Sequence, residues 1–126
     1  MNTVTIAGNL TRDPELRFLD GGAATAGFGL AVSRRWFDKT KNDWNEVTSF
    51  FDVVAWRTLA DNVAENLKKG DRVVVTGRLE QRSWEKDGEK RSKVEIVAED
   101  IASSLKFASK GQNNTALVGG FSSDPF

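Results

Sequence analysis

The sequence predicts a mainly β protein: a five-stranded Greek-key barrel with one α-helix between the third and fourth strands. Three observations lead to this fold class. Short segments with alternating polar and apolar residues recur along most of the chain. A single segment has the apolar spacing of a helix, and it falls between the third and fourth of these strands. The chain has 126 residues, which is enough for one such barrel of about 110 residues.

The first two strands are separated by turn signals. Residues 3–10 alternate polar and apolar side chains, as a half-buried strand does. Gly, Pro and Asp mark turns at residues 11–14 and 20–22. The two faces of the second strand carry Phe28, Leu30 and Val32, and Gly27, Gly29 and Ala31. The face of small residues predicts sharp curvature or a close approach of another backbone, as at a barrel corner.

The third strand is predicted over residues 46–57, after a long, mobile hairpin loop at residues 38–45. The loop follows from the polar composition of that segment, in which Trp44 is the exception. The two faces of the strand carry Phe51, Val53 and Ala55, and Phe50, Asp52, Val54 and Trp56. Because both faces are apolar, one belongs to the core and the other needs a different explanation.

The helix is predicted over residues 58–69, and Gly70 ends it. Thr58 is its predicted N-cap, and Asp61 stands at the third helical position of a capping box. One apolar stripe recurs every four residues, at Leu59, Val63 and Leu67. Such a stripe indicates a helix that packs one side on the core.

The remaining strands complete the barrel. Residues 72–79 are rich in β-branched side chains, and Gly77 indicates a bulge. Residues 81–97 predict an extended hairpin that turns at Asp87-Gly88. This order of strands and helix matches the OB-fold barrel. We therefore expect an OB domain over residues 1–110 and a short disordered C-terminal tail over residues 111–126, which is rich in Gly, Ser and Asn.

The composition excludes much enzyme chemistry. The chain has no Cys and no His, so Ser-His and Cys-His triads are ruled out and zinc would find only carboxylate ligands. We expect no cofactor and no metal. Its first residues do not resemble a signal peptide and no apolar run is long enough to span a membrane, so we expect a cytoplasmic protein. The formal net charge is zero, so nucleic-acid affinity would depend on where the charges lie.

Four aromatic residues lie among positive charges on predicted strands: Trp36, Phe50, Trp56 and Trp84. This arrangement suits a single-stranded nucleic acid, because bases stack on aromatic rings while phosphates meet basic side chains. Phe50 and Trp56 share a strand face about 20 Å apart, at about 3.3 Å per residue. Trp84 precedes a turn on a basic hairpin arm. The alternative is that a neighbouring subunit packs against Phe50 and Trp56.

Two of the four tryptophans are harder to place. Trp36 continues the alternation of the Phe28 face, which would bury it. Adjacent Arg34 and Arg35 do not suit a closed core, so we expect a bulge or strand end near Ser33 that turns Trp36 outward. Trp44 lies among polar residues, and its sequence context favours neither a structural role nor a ligand-binding one.

The basic residues spread over loops and strand ends could form a track for phosphates. Any one of them could equally be a solvated surface charge. The basic residues considered for such a track are Arg12, Arg34, Arg35, Lys39, Lys41, Arg57, Arg72, Arg82, Lys86, Lys90, Arg91 and Lys93. Of these, the predicted DNA-binding residues are Arg34, Arg35, Arg57, Arg72, Arg82 and Lys86.

Several motifs in one order resemble the bacterial-type single-stranded DNA-binding proteins. They are residues 4–10 (VTIAGNL), 13–17 (DPELR), 33–36 (SRRW), 50–56 (FFDVVAW), 67–70 (LKKG) and 73–79 (VVVTGRL). The resemblance covers about residues 2–108. Within that family, the short tail is typical of a phage-encoded or short-tailed paralogue. It implies an OB-fold, a homotetramer wrapped by DNA in the nucleoid, and stacking roles for Trp36, Phe50, Trp56 and Trp84.

The resemblance also assigns a role to the last residues, Asp124, Pro125 and Phe126. In the family, an acidic tip that ends in Pro-Phe recruits replication and repair proteins. Here the Pro-Phe is present with a single acidic residue. The resemblance thus implies a partner-binding tip of weak acidity.

We predict a non-catalytic protein that binds single-stranded DNA without strong sequence preference and protects it in replication, recombination and repair. An alternative is a protein-interaction OB module, such as a replication accessory subunit, whose aromatic face binds protein. A nuclease would need a metal-binding cluster of carboxylates, and the sequence does not indicate one.

Overall fold

The structure is a computed structural model that describes residues 1–106. Its elements, in chain order, are β1 (Val4–Leu10), β2 (Glu15–Phe18), β3 (Ala24–Asp38), β4 (Asp43–Trp56), α1 (Arg57–Asn66), β5 (Arg72–Lys86) and β6 (Glu89–Ser103). The predicted end of the barrel domain at residue 110, the predicted tail and the tip Asp124–Phe126 lie outside the described residues.

Five of the strands close into a barrel, which confirms the predicted fold class. The strand order is β1-β5-β6-β4-β3-β2, and an additional pairing of β1 with β3 closes the ring. The pairing of β4 with β6 is parallel, and the other pairings are antiparallel. The sixth strand, β2, lies on the outer edge of β3 and was not predicted. All four of its residues are exposed, so it lacks the alternating burial that makes a strand visible in sequence.

The core is formed by the inward faces of the long strands. Its largest fully buried side chains are Phe28, Leu30, Val53, Val73, Val75 and Ile96. The predicted apolar face of the second strand is therefore confirmed at Phe28 and Leu30. Val32 packs against the core only in part, because it lies where β3 leaves the barrel.

The helix is shorter than predicted and starts earlier. It begins at Arg57, with Trp56 as N-cap and no side-chain cap bond, so the predicted capping by Thr58 is wrong. Arg57 has a left-handed φ of 57°, which turns the chain from β4 directly into the helix. The helix ends at Asn66, and the predicted apolar stripe does pack on the core: Leu59, Val63 and Leu67.

The paired strands β3 and β4 continue beyond the barrel as a two-stranded arm, here called the β3–β4 arm (residues 33–48). Their register is unbroken from Thr25↔Trp56 to Asp38↔Asp43. The predicted loop over residues 38–45 is therefore wrong: only a four-residue turn, residues 39–42, separates the strands. The predicted bulge near Ser33 is also absent, since the register does not shift there.

The turn of the β3–β4 arm is held by one carboxylate. Asp38 accepts hydrogen bonds from the backbone N–H groups of Thr40 at 2.9 Å and Lys41 at 3.3 Å, and from the Asn45 side chain at 3.1 Å. The backbone donors, first Thr40 and then Lys41, lower the pKa of Asp38 below its usual value because they stabilise its charged form. Local hydrogen bonds thus order a segment whose polar composition suggested a mobile loop.

A second arm, the β5–β6 arm (residues 80–95), leaves the barrel next to β4. The predicted separate strand and hairpin are one pair of 15-residue strands joined at Asp87-Gly88, where both φ angles are positive. Two positive φ values are the geometry of the type I′ hairpin turn. The predicted bulge at Gly77 is confirmed by a register shift between Thr76 and Gly77.

We expect Gly77→Ala to destabilise the barrel. A Cβ atom there would collide with the carbonyl of Val97 on β6, and the backbone would have to move. Such overpacking costs about 1–3 kcal/mol, measurable as a lower urea midpoint. Gly27→Ala is the matched control, because its Cβ would lie 3.8 Å from the nearest atom, the Val53 carbonyl oxygen. Equal midpoints for the two variants would contradict a packing role for Gly77.

Candidate nucleic-acid interface

The strand register defines one continuous surface across β2–β6, here called the outer face. Residues opposite each other in neighbouring strands point to the same side of a sheet. Phe50 lies opposite Ala31, Asp52 opposite Gly29 and Trp56 opposite Thr25. The outer-face side chains discussed below are Arg17, Arg35, Trp44, Phe50, Asp52, Trp56, Arg82, Trp84, Arg91, Lys93 and Glu95. The small residues of β3 face this side, where they leave room above the sheet.

Phe50 and Trp56 are exposed on this face, as predicted. Phe50 is 71% exposed and Trp56 40%. Both belong to the uninterrupted strand β4, so the spacing of about 20 Å follows from the rise of a strand. Neither ring contributes to the core of the described chain, and each presents a surface on which a planar group could stack.

Trp84 lies on the same face at the far end of the β5–β6 arm. It is 41% exposed and stands opposite Arg91 of β6. The guanidinium carbon of Arg82, two residues earlier on the same side, lies 5.7 Å from its ring centroid. Lys86 follows at the end of β5, beside the turn, and is also exposed. An aromatic ring and basic groups thus alternate along this arm, as predicted.

Trp36 is exposed, as predicted, but for a different reason. It is 38% exposed because the β3–β4 arm extends beyond the barrel, where the inward face of β3 has no core to cover it. It lies opposite Asn45, on the other side of the arm from Phe50. The Arg34 guanidinium stacks on that side, with its carbon 4.4 Å from the centroid of Trp36.

Trp44 takes the outer-face position on this arm, which the sequence left undecided. Its ring makes an edge contact with Phe37, with centroids 5.5 Å apart. The Arg35 guanidinium carbon lies 5.1 Å from the Trp44 centroid. Trp44 and Phe50 occupy the same face of β4, six residues apart. Counting parity backward from Phe50 would have found Trp44, had its segment been predicted as strand.

Two of the predicted basic residues lie apart from the strand faces. Arg57 is exposed beside Trp56, at the left-handed turn into α1. Arg72 is half-buried at the start of β5, and its Nε donates to the Ser104 hydroxyl at 3.1 Å. Arg72 and Trp84 are twelve positions apart on the same strand, about 40 Å of backbone. Arg72 therefore does not lie beside Trp84.

A cleft of about 200 Å³ opens in the middle of the outer face. Asp52 lies in it, 3.6 Å from Lys93 Nζ and 3.8 Å from Arg12. Glu95 is 3.9 Å from Lys93 and 3.7 Å from Arg82. Sequence parity placed Asp52 between Phe50 and Trp56, and Arg12 and Lys93 belong to the larger set of basic residues that the sequence offers for a phosphate track. That these three side chains meet depends on the register of β4 against β6 and on the position of the β1–β2 turn.

Other kinds of site are not evident in residues 1–106. Within that range no three acidic side chains gather where a metal ion could bind. No helix of the described chain is both long enough and apolar enough to cross a membrane.

Comparison with known proteins identifies related chains. The model of the "single-strand binding protein family" matches residues 1–104. A single-stranded DNA-binding protein of Paenarthrobacter aurescens is 48% identical over 115 residues, which cover 90% of this chain and 67% of that protein. One of Mycobacterium tuberculosis (strain ATCC 25618 / H37Rv) is 46% identical over 123 residues, 96% of this chain and 75% of that protein.

Two solved structures have similar folds. A Plasmodium falciparum SSB in complex with ssDNA superposes with a TM-score of 0.74 at 26% identity, covering 82% of this chain and 95% of that one. A small single-stranded DNA-binding protein from Streptomyces coelicolor gives a TM-score of 0.68 at 36% identity, covering 82% and 94%.

We expect the exposed aromatic residues to contribute little to stability. Phe50→Ala and Trp84→Ala should change the free energy of unfolding by no more than about 0.5 kcal/mol, as surface substitutions usually do. Phe28→Ala, in the core, should cost about 3–5 kcal/mol. Urea unfolding measures all three. A loss at Phe50 comparable with that at Phe28 would show that the outer face is buried in the native protein.

Proposed function

The chain belongs to the single-strand binding protein family, and on that premise we propose that it binds single-stranded DNA without strong sequence preference. It is a binding protein rather than an enzyme. In this proposal bases stack on exposed aromatic rings while basic side chains contact the phosphates. The protein would thereby protect single strands during replication, recombination and repair.

One observation carries the proposal: several exposed rings, Trp44 among them, lie on a single face with basic groups between and beside them. Phe50 and Trp56 lie along β4, and Trp84 lies on the neighbouring arm with Arg82 and Arg91. Every base has a π-face, so stacking contributes about 1–3 kcal/mol per base with little dependence on sequence.

Trp36 and Arg34 extend the proposed path to the other side of the β3–β4 arm. A strand that passes over the end of this arm would meet both sides, since the arm is only two strands wide. Arg35 and Trp44 lie on the near side. The arm would thus contribute two ring–guanidinium pairs, one on each side.

The edge of β1 supports assembly into a homotetramer, which we propose on the family resemblance. β1 pairs with β5 from Val4 to Asn9, whereas its other edge pairs with β3 only at Asn9 and Leu10. In the described chain, the backbone groups of residues 4–7 on that second edge are open to pairing with another strand. Such edges associate readily.

We expect oligo-dT to quench the tryptophan fluorescence of the protein and Phe50→Ala to weaken the binding. Loss of one stacking ring should lower affinity about fivefold or more, since a stacked base is worth about 1–3 kcal/mol. Phe18→Ala is the matched control: Phe18 is 67% exposed but lies opposite Ala24, off the outer face. Both variants keep all four tryptophans as the signal.

The salt dependence of the same titration separates the two candidate functions. A phosphate track requires log K to fall linearly with log salt concentration, by about 0.7 per phosphate contact for single strands. Absence of quenching at low salt by the folded protein would rule out DNA binding at this face. Association that is insensitive to salt would favour the protein-interaction module instead.

We expect light scattering to report an assembly of four chains of 13.9 kDa each. Oligo-dT shorter than a limiting length should bind in several copies per assembly, and longer oligo-dT should bind as one molecule per assembly. A monomer at every concentration would contradict the tetramer without contradicting DNA binding. The limiting length gives the number of nucleotides that the assembly covers.

A further inference from the structure

Five side chains of alternating charge cross the middle of the outer face. We call them the charge chain, and they are, in spatial order, Arg12, Asp52, Lys93, Glu95 and Arg82. The successive distances between their charged atoms are 3.8, 3.6, 3.9 and 3.7 Å. The chain runs from the β1–β2 turn over β4 and β6 to β5. It therefore lies across the region between Phe50, Trp56 and Trp84.

The contacts of the charge chain are loose. All four are longer than the 2.7–3.2 Å or so of an N–H···O hydrogen bond, whereas the ion pairs Arg17–Glu15 and Arg78–Glu80 close to 2.9 and 3.1 Å. The side chains of Arg12 and Asp52 are about half exposed, at 55% and 45%. Such pairs attract each other without occupying the hydrogen-bond donors of the cations, so a phosphate can replace the carboxylate.

The neighbouring backbone makes room for this arrangement. Gly29 lies opposite Asp52 on β3. A Cβ atom on Gly29 would lie 2.8 Å from Arg12 Nη1 and would also clash with the Thr11 hydroxyl. Because glycine has no Cβ, Arg12 can cross β3 and reach the carboxylate on β4. The small residues predicted to mark a barrel corner thus also admit a cation to the outer face.

We propose that Asp52, supported by Glu95, competes with DNA phosphates for Arg12 and Lys93 and thereby limits the affinity of the outer face. This inference rests on the proposed function. With Asp52 present, Arg12 and Lys93 already face a negative charge, and the carboxylate repels an incoming phosphate. A DNA strand can contact Arg12 and Lys93 only by displacing Asp52. Each of these phosphate contacts therefore releases fewer counterions than a contact with an unpaired basic side chain would release.

The test is Asp52→Asn, which keeps the shape of the side chain and removes its charge. We expect oligo-dT to bind about three- to tenfold more tightly in 50 mM salt, with log K falling more steeply with log salt by about 0.7–1.4, the share of one or two phosphates. The two binding curves should converge at high salt. Glu95→Gln should act in the same direction and serves as the second variant.

The matched control is Glu65→Gln, which makes the same change of net charge on the exposed side of α1. If Asp52→Asn has the affinity and salt slope of the wild type, or changes them no more than Glu65→Gln does, the competition does not exist. A wild-type protein that fails to bind oligo-dT at low salt would instead contradict the proposed function. The two failures are therefore distinguishable in one set of titrations.

Discussion

Close backbone contact at two glycines is the constraint on which the barrel depends. At Gly77 the chain lies against the carbonyl of Val97, and at Gly8 it lies against the carbonyl of Ala31. The first contact sits at the register shift between β5 and β6, where β6 carries the extra residue, and the second lies beside the pairing that closes β1 onto β3. Without the curvature that these close contacts allow, the sheet would stay open. Phe28 and Leu30 would then lose the strands that pack against them from the other side of the core. The arms depend on this curvature too, because their direction is set where the strands leave the closed ring.

The parts of this fold that bury apolar residues are predictable, because a buried face requires apolar residues at a regular spacing in the sequence. The Phe28 face and the stripe of α1 follow from spacing alone, and the bulge at Gly77 follows from a glycine within a strand pattern. β2 and the β3–β4 arm bury little, so no such period marks them. Their order comes instead from cross-strand contacts, such as Phe37 with Trp44, and from turn hydrogen bonds to Asp38. The start of α1 was misjudged because the left-handed φ of Arg57 is a tertiary outcome that local capping patterns do not reveal.

The candidate site divides in the same way. Alternation within β4 correctly placed Phe50, Asp52 and Trp56 on one face. The sequence alone does not show which side chains of different strands meet, because that depends on the register of the strands. The sequence groups Arg72 with the aromatic residues, although it lies at the opposite end of β5 from Trp84. It predicts a bulge before Trp36, and the register contains none. The partners of Asp52 come from a turn and a distant strand, so no sequence window contains them together.

Trp56 serves two parts of the molecule through two different groups of atoms. Its backbone ends β4 and caps α1, and its side chain makes no cap bond. The start of α1 therefore does not depend on which side chain stands at this position, whereas base stacking in the proposed function requires a flat ring. Replacing Trp56 by another aromatic residue would leave the start of the helix unchanged. In the proposed function it would alter only the strength of stacking.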